Sequence, residues 1–293
     1  MLHQYAQNIS SHVRSNMRLF FVTFMVALIS AFSSANAASD WLSGLGYKAR
    51  LIEGSSQADG THQAAFEIIL ENGWSTYWRV PGEHGIPPIF EYAESRNIKD
   101  LIIHWPAPDV FVSGTGLTIG YKERVVLPFT IIPEASTQKA ELNLSAFFGV
   151  CSEICVPADA KVSVLLDPKN TKAIDQPIID EAMSTVPKKH AENGLDVTEA
   201  SLKSNDEEEY VYVRLQLPDS VNNVSVLTEG PQDWYFEPYV NKLSNEAANS
   251  KSYMAKVSLY RIVRKTLSGE EELKVTVIAD GTAIEKTISL NNL

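Results

Sequence analysis

ELNLSAFFGVCSEICVPADAKVSVLL, residues 141–166, reads as a β-hairpin with one cysteine on each side of its tip. Glu141 to Phe148 and Lys161 to Leu166 have strand composition, and Cys151 and Cys155 flank only Ser152, Glu153 and Ile154. Facing positions across so short a loop lie about 4.5–5.5 Å apart, within reach of a disulfide without backbone movement. The stretch therefore predicts a strand pair closed by one intramolecular bridge.

Outward from the hairpin the same pattern repeats. His62 to Leu70, Trp74 to Val80, Leu101 to Trp105 and Arg124 to Ile132 are short apolar runs, punctuated by Asn72-Gly73, Pro81-Gly82, Pro87-Pro88 and Ser113-Gly114. Breaks at this spacing suit an antiparallel sandwich rather than alternating helices and parallel strands. Residues 40–170 are thus expected to form an immunoglobulin-like domain. Residues 171–193 change character and read as a linker, with a short helix over Thr171 to Met183. From residue 194 to 293 strand patterning returns: Val211, Val213, Leu215 and Leu217 alternate with polar or aromatic neighbours, and Tyr253 to Val263, Glu272 to Ala279 and Ala283 to Leu290 follow. A second β-sandwich is expected there, making the fold class all-β.

The first 37 residues read as an export signal. Arg14 and Arg18 precede the apolar run Leu19 to Phe32, and Ala35-Asn36-Ala37 supplies a small-residue cleavage site. The run falls short of the roughly 20 residues a spanning helix needs. Met17 would begin a more compact signal of the same kind. Cleavage after Ala37 removes two arginines and no acidic residue, taking the formal charge from −11 to −13. So acidic a protein is poorly suited to nucleic acid or anionic lipid. A soluble, exported and therefore periplasmic protein is expected.

Two cysteines in an exported chain favour a disulfide, and the residues leave three readings open. In the first the bridge is structural and the protein is a non-catalytic interaction module. Closing a loop of about five residues contributes only about 2 kcal/mol in the chain-entropy model, and a domain of this size needs little such help. In the second the bridge works by thiol-disulfide exchange, for which a small bridge at a loop tip is accessible to an attacking thiolate. In the third Cys151 and Cys155, with His84 or His104, hold Cu(I) through soft thiolate ligands. Nothing in the sequence calls for an organic cofactor. Trp74, Tyr77 and Trp78 read as core rings of a central strand.

Four features taken in order resemble a known family. They are Asn72-Gly73-Trp74 running into Tyr77-Trp78-Arg79; Trp105 before a loop with Asp109 and Phe111; Tyr121-Lys122-Glu123-Arg124 leading to Leu127-Pro128-Phe129; and the cysteine hairpin ending in Val156-Pro157. The set resembles the N-terminal periplasmic domain of the disulfide reductase DsbD and its relatives in the copper-tolerance protein ScsB. The resemblance implies an immunoglobulin-like domain that takes electrons from a membrane carrier through its cysteine pair and passes them to thioredoxin-like periplasmic oxidoreductases. It also places Phe111 as a cap over the sulfurs and Asp109 as an acid or base beside them, both in a loop from Pro106 to Phe111. Family members are usually fused to membrane helices and a thioredoxin-like domain, neither of which follows here, so the reductant is expected on another chain. Glu153 and Asp159 are expected near the sulfurs, where negative charge raises a thiol pKa and slows idle chemistry.

Overall fold

The computed structural model describes residues 38–292, apart from 83–84, 114–115, 205–207, 220, 243–251 and 262–270. The expected signal segment and His84 lie outside the described residues. Apart from one helix, the described elements are strands, and nearly all their pairings are antiparallel.

Two sheets face each other in the first half. One runs in the order β1 (Leu42–Gly44), β2 (Tyr47–Ser56), β3 (His62–Leu70), β9 (Arg124–Ile132), β6 (Asp100–Ile103). The other runs β11 (Cys155–Leu166), β10 (Ala140–Cys151), β4 (Ser75–Tyr77), β8 (Gly116–Lys122), β7 (Asp109–Ser113), with β5 (Ile89–Glu91) also paired to β10. Period-two alternation decides which face is buried. Ala64, Phe66, Ile68 and Leu70 of β3 meet Leu142, Leu144, Ala146, Phe148 and Val150 of β10 in one core, which also holds Trp78, Tyr121 and Phe129. Tyr47 and Phe66 pack edge-on against Phe148 at ring separations of 5.0 and 5.9 Å, tying the hairpin strand to the opposite sheet.

The linker is not free chain. Helix α1 (Gln176–Ser184) starts five residues after the expected Thr171, with a proline, Pro177, in its first turn, where a missing N–H costs nothing. Ile179 sits fully buried with Ile52, Ala65 and Val126, so the helix covers part of the outer face of the first sheet. Gln176 Oε1 accepts from the Ser55 backbone N–H at 2.7 Å and fixes the entry.

The second half is again a pair of sheets. One orders β15 (Trp234–Phe236), β17 (Ser252–Arg261), β13 (Glu209–Gln216), β12 (Asp196–Ser204), β20 (Asn291–Asn292); the other orders β16 (Tyr239–Lys242), β14 (Asn223–Glu229), β18 (Glu272–Ala279), β19 (Thr282–Ser289). Their core is formed by Val211, Val213, Leu215, Val224, Val226, Val257, Val275, Val277 and Ile284 among others. Residues of β14 and β18 that point away from this core face the first sandwich: Leu227 is buried in the first core and Ile278 packs against it.

The structure corrects one local expectation. Pro106 to Phe111 is not all loop, because Asp109 opens β7, which pairs with β8 in a hairpin. Val110 turns inward against the first core while the residues on either side face out, the alternation of a half-buried strand.

Candidate functional site

The hairpin of β10 and β11 keeps unbroken pairing up to its last rung, Cys151 opposite Cys155. The two are joined by a disulfide, with Cα atoms 4.0 Å apart, slightly closer than the ordinary facing distance. The Ser152 N–H donates to the Ile154 carbonyl at 3.1 Å and closes the tip. Cys151 is buried, Cys155 is partly exposed, and Ile154 between them stands out into solvent at 64% exposure. Of the two sulfurs, Cys155 Sγ is therefore the one open to an incoming thiolate.

Strand β4 holds the inner side of the site. Ser75 pairs with Cys151 and donates its hydroxyl to the Cys151 carbonyl at 3.2 Å; Thr76 does the same to the Gly149 carbonyl at 2.7 Å. Because Ser75 faces Cys151, alternation places Tyr77 on that same outer face, and its hydroxyl donates to Cys155 Sγ at 3.0 Å. The ring lies flat across Gly149: a Cβ there would come within 2.7 Å of Tyr77 and 2.8 Å of Ile86. Glycine is the residue that lets a phenol reach the bridge by this route. Gly85 approaches the same ring from the loop after β4. Tyr77 is thus buried under a loop with only its hydroxyl engaged at the sulfur.

The other residues singled out in the sequence fall at graded distances. Asp109 pairs with Gly120 of β8, which pairs with Tyr77, so Asp109 shares a rung and a face with the tyrosine, two strands away. It is exposed, and its charge is felt at Tyr121, whose burial pushes the phenol far above its ordinary range, Arg79 opposing and Asp109 adding to the rise. Phe111 lies on the outer face of the edge strand β7, three strands from β10, or about 14 Å by strand spacing. The Lys122 ammonium sits 4.1 Å above its ring. Glu153 is in the tip loop, as expected, but Asp159 is four residues along a straight strand, about 13 Å from Cys155, opposite Phe147. It is therefore not beside the sulfurs. His104 belongs to the other sheet side, where its Nε2 meets Thr130 Oγ1 at 2.8 Å. Among the described residues no group of three or more His, Cys, Asp or Glu side chains is placed to hold a metal.

Tyr77 is the functional residue that sequence reasoning missed, since a large ring on a central strand reads as core. The signal that finds it is register: once Ser75 is known to face Cys151, Tyr77 must stand on the cysteine face.

Comparison with known proteins bears directly on this hairpin. Residues 48–167 match the family described as thiol:disulfide interchange protein DsbD, N-terminal. This segment is a DsbD N-terminal-type domain. Among solved structures, the N-terminal periplasmic domain of ScsB from Proteus mirabilis superposes with a TM-score of 0.67 at 20% identity, over 87% of this chain and 99% of that one. That likeness is one of fold, and it reaches well past the DsbD-type segment to take in the second sandwich. No curated protein matches the sequence. Among the described residues no helix is long and apolar enough to cross a membrane.

Proposed function

We propose that this chain is a periplasmic thiol-disulfide exchange protein. It relays electrons through Cys151 and Cys155 from a separate membrane carrier to thioredoxin-like oxidoreductases. The observation that carries this reading is the placement of the disulfide in the DsbD-type domain: on the last rung of a hairpin, with one sulfur buried and the other partly open beneath a tyrosine hydroxyl.

The chemistry follows from that asymmetry. A donor thiolate attacks Cys155 Sγ, the Cys151–Cys155 bond breaks, and Cys151 leaves as a thiolate that takes up a proton. The donor's second thiolate then attacks its own sulfur in the mixed disulfide and releases Cys155 as a thiolate. Two electrons have passed to the pair and the donor is left oxidised. The Tyr77 hydroxyl, already aimed at Cys155 Sγ, stabilises that thiolate, because a hydrogen bond to a charged group is stronger than to a neutral one. Delivery to an oxidised acceptor is the reverse sequence with Cys155 as nucleophile.

Tyr77, Gly85 and Ile86 do the covering at the sulfur, and Phe111 and Asp109 belong to the rim of the same face, with Phe111 screening the approach and Asp109 available for proton transfer on docking. Exposed Ile154, Phe147 and Ile89 supply the apolar part of a docking surface. Equilibrating the protein with a reduced thioredoxin-like protein tests the reading: reduction of Cys151–Cys155 with matching oxidation of the partner supports it. Thiols that bind Cu(I) but do not exchange would support copper binding, and inert thiols an interaction module.

A further inference from the structure

The second sandwich reaches the redox site through one side chain. Arg79, two residues beyond Tyr77, sends its guanidinium out of the first sandwich to Glu229 of β14, with Nε and Nη2 to the two carboxylate oxygens at 3.1 and 2.6 Å. It also bonds Glu285 of β19. The guanidinium stacks on its neighbour, the buried Trp78 ring, at 4.1 Å. Burial alone would make the cation easier to deprotonate, but the two carboxylates outweigh it and hold the charge more firmly than in water. The site is shielded: Thr276, which donates to Glu285, and Leu227, two residues before Glu229, are both almost fully buried. Glu285 is itself fixed by the linker, its N–H donating to the Lys188 carbonyl at 2.8 Å.

A two-pronged contact of this kind fixes orientation as well as position. What it orients is β4, a strand of only three residues whose other end carries Ser75 against Cys151 and whose last residue is Tyr77. So short a strand has little pairing of its own to hold it. Trp78, between Tyr77 and Arg79, is clamped from both sides, in the core below and under the guanidinium above.

We propose that Arg79 is a positioning residue for the disulfide: gripped by Glu229 and Glu285 of the second sandwich, it holds β4 in the register that keeps the Tyr77 hydroxyl on Cys155 Sγ. The second sandwich is thereby a brace on the reactivity of Cys155. This deepens the exchange reading and rests on it for its biological meaning, but its test needs no redox partner.

The test follows the pH dependence of alkylation of Cys155 in a Cys151→Ser background, where it is the single thiol. Tyr77→Phe should move the midpoint of the alkylation profile upward by about one pH unit, the size of one lost hydrogen bond to a charged group. Arg79→Gln should move it in the same direction, and combining it with Tyr77→Phe should add little, because both act through one contact. Should Arg79→Gln fail to fold, the Glu229→Gln, Glu285→Gln pair releases the same grip with side chains of equal size and carries the same expectation. An unchanged alkylation profile in the folded Arg79 or double-Gln variant, or a shift that simply adds to that of Tyr77→Phe, would overturn the proposal and leave Arg79 a structural ion pair. If the profile shifts as expected yet no thioredoxin-like protein exchanges with the parent, the brace stands and the relay falls.

Discussion

The two sandwiches solve the same packing problem with different side chains. The first core is built on rings, with Tyr47, Phe66, Trp78, Tyr121, Phe129 and Phe148 buried and several of them packed edge-on. In the second, the fully buried core residues described are all aliphatic, mostly Val, Leu and Ala, with Trp234, Phe236, Tyr239 and Tyr253 only partly covered at its margin. Large rings have few rotatable bonds and span the gap between sheets, so they can fix one strand against another over a long reach. The sandwich that must hold a sulfur and a hydroxyl in register uses them. The other fills its interior with small branched residues and contributes through its outer face, where Glu229 and Glu285 stand.

The largest expected effect breaks that contrast at its centre. Phe148→Ala should cost about 3–5 kcal/mol in denaturant unfolding, as for other buried rings, whereas Val257→Ala in the second core should cost about 2 kcal/mol. Equal losses would mean that the rings carry no special share. Next in size is the bridge itself. The Cys151→Ser, Cys155→Ser variant should stay folded and lose about 2 kcal/mol, the loop-closure term for so small a ring. Global unfolding at room temperature would instead make the disulfide a structural staple.

A third effect separates the sandwiches by pH. His62 and His104 both lie in the first, and burial lowers the pKa of each below the ordinary 6.5, with Asp167 opposing at His62 and Lys189 assisting at His104. Residues 194–293 contain no histidine. A histidine held neutral on folding contributes fully above the unfolded value, and that contribution is lost as pH falls from about 6.5 through the lower folded pKa. Between pH 7.5 and 5 the first sandwich should therefore lose stability while the second holds, and His62→Gln should flatten the slope. A slope that survives His62→Gln and His104→Gln together would place its origin elsewhere. The smallest effects are kinetic. Tyr77→Phe should slow attack by reduced Cys155 on an oxidised partner about fivefold at neutral pH, the value of one hydrogen bond. Phe111→Ala should speed reaction of the disulfide with glutathione at unchanged thermal stability, and an unaltered rate would remove Phe111 from the rim of the site.

Sequence alone was enough for the hairpin, and the reason is local. Cys151 and Cys155 are four positions apart, so their pairing needs no long-range information, and strands such as His62–Leu70, Arg124–Ile132 and Glu272–Ala279 announce themselves by alternation. Tyr77 was not legible, because its face is set by the pairing of Ser75 with Cys151, 76 residues away. Asp159 was misplaced for a related reason: closeness in sequence means little along an extended strand that moves away at over 3 Å per residue. The grip of Glu229 and Glu285 on Arg79 spans 150 and 206 residues and leaves no periodic trace at all.

The measurement that bears most directly on electron relay is trapping of the mixed disulfide. Single variants Cys151→Ser and Cys155→Ser, each reduced, would be mixed with an oxidised thioredoxin-like protein that lacks its resolving cysteine, and the covalent product followed by non-reducing electrophoresis. Relay through the open sulfur predicts rapid trapping through Cys155 in the Cys151→Ser protein, and little through the buried Cys151 in the other. Equal trapping by both, or none by either, would contradict it.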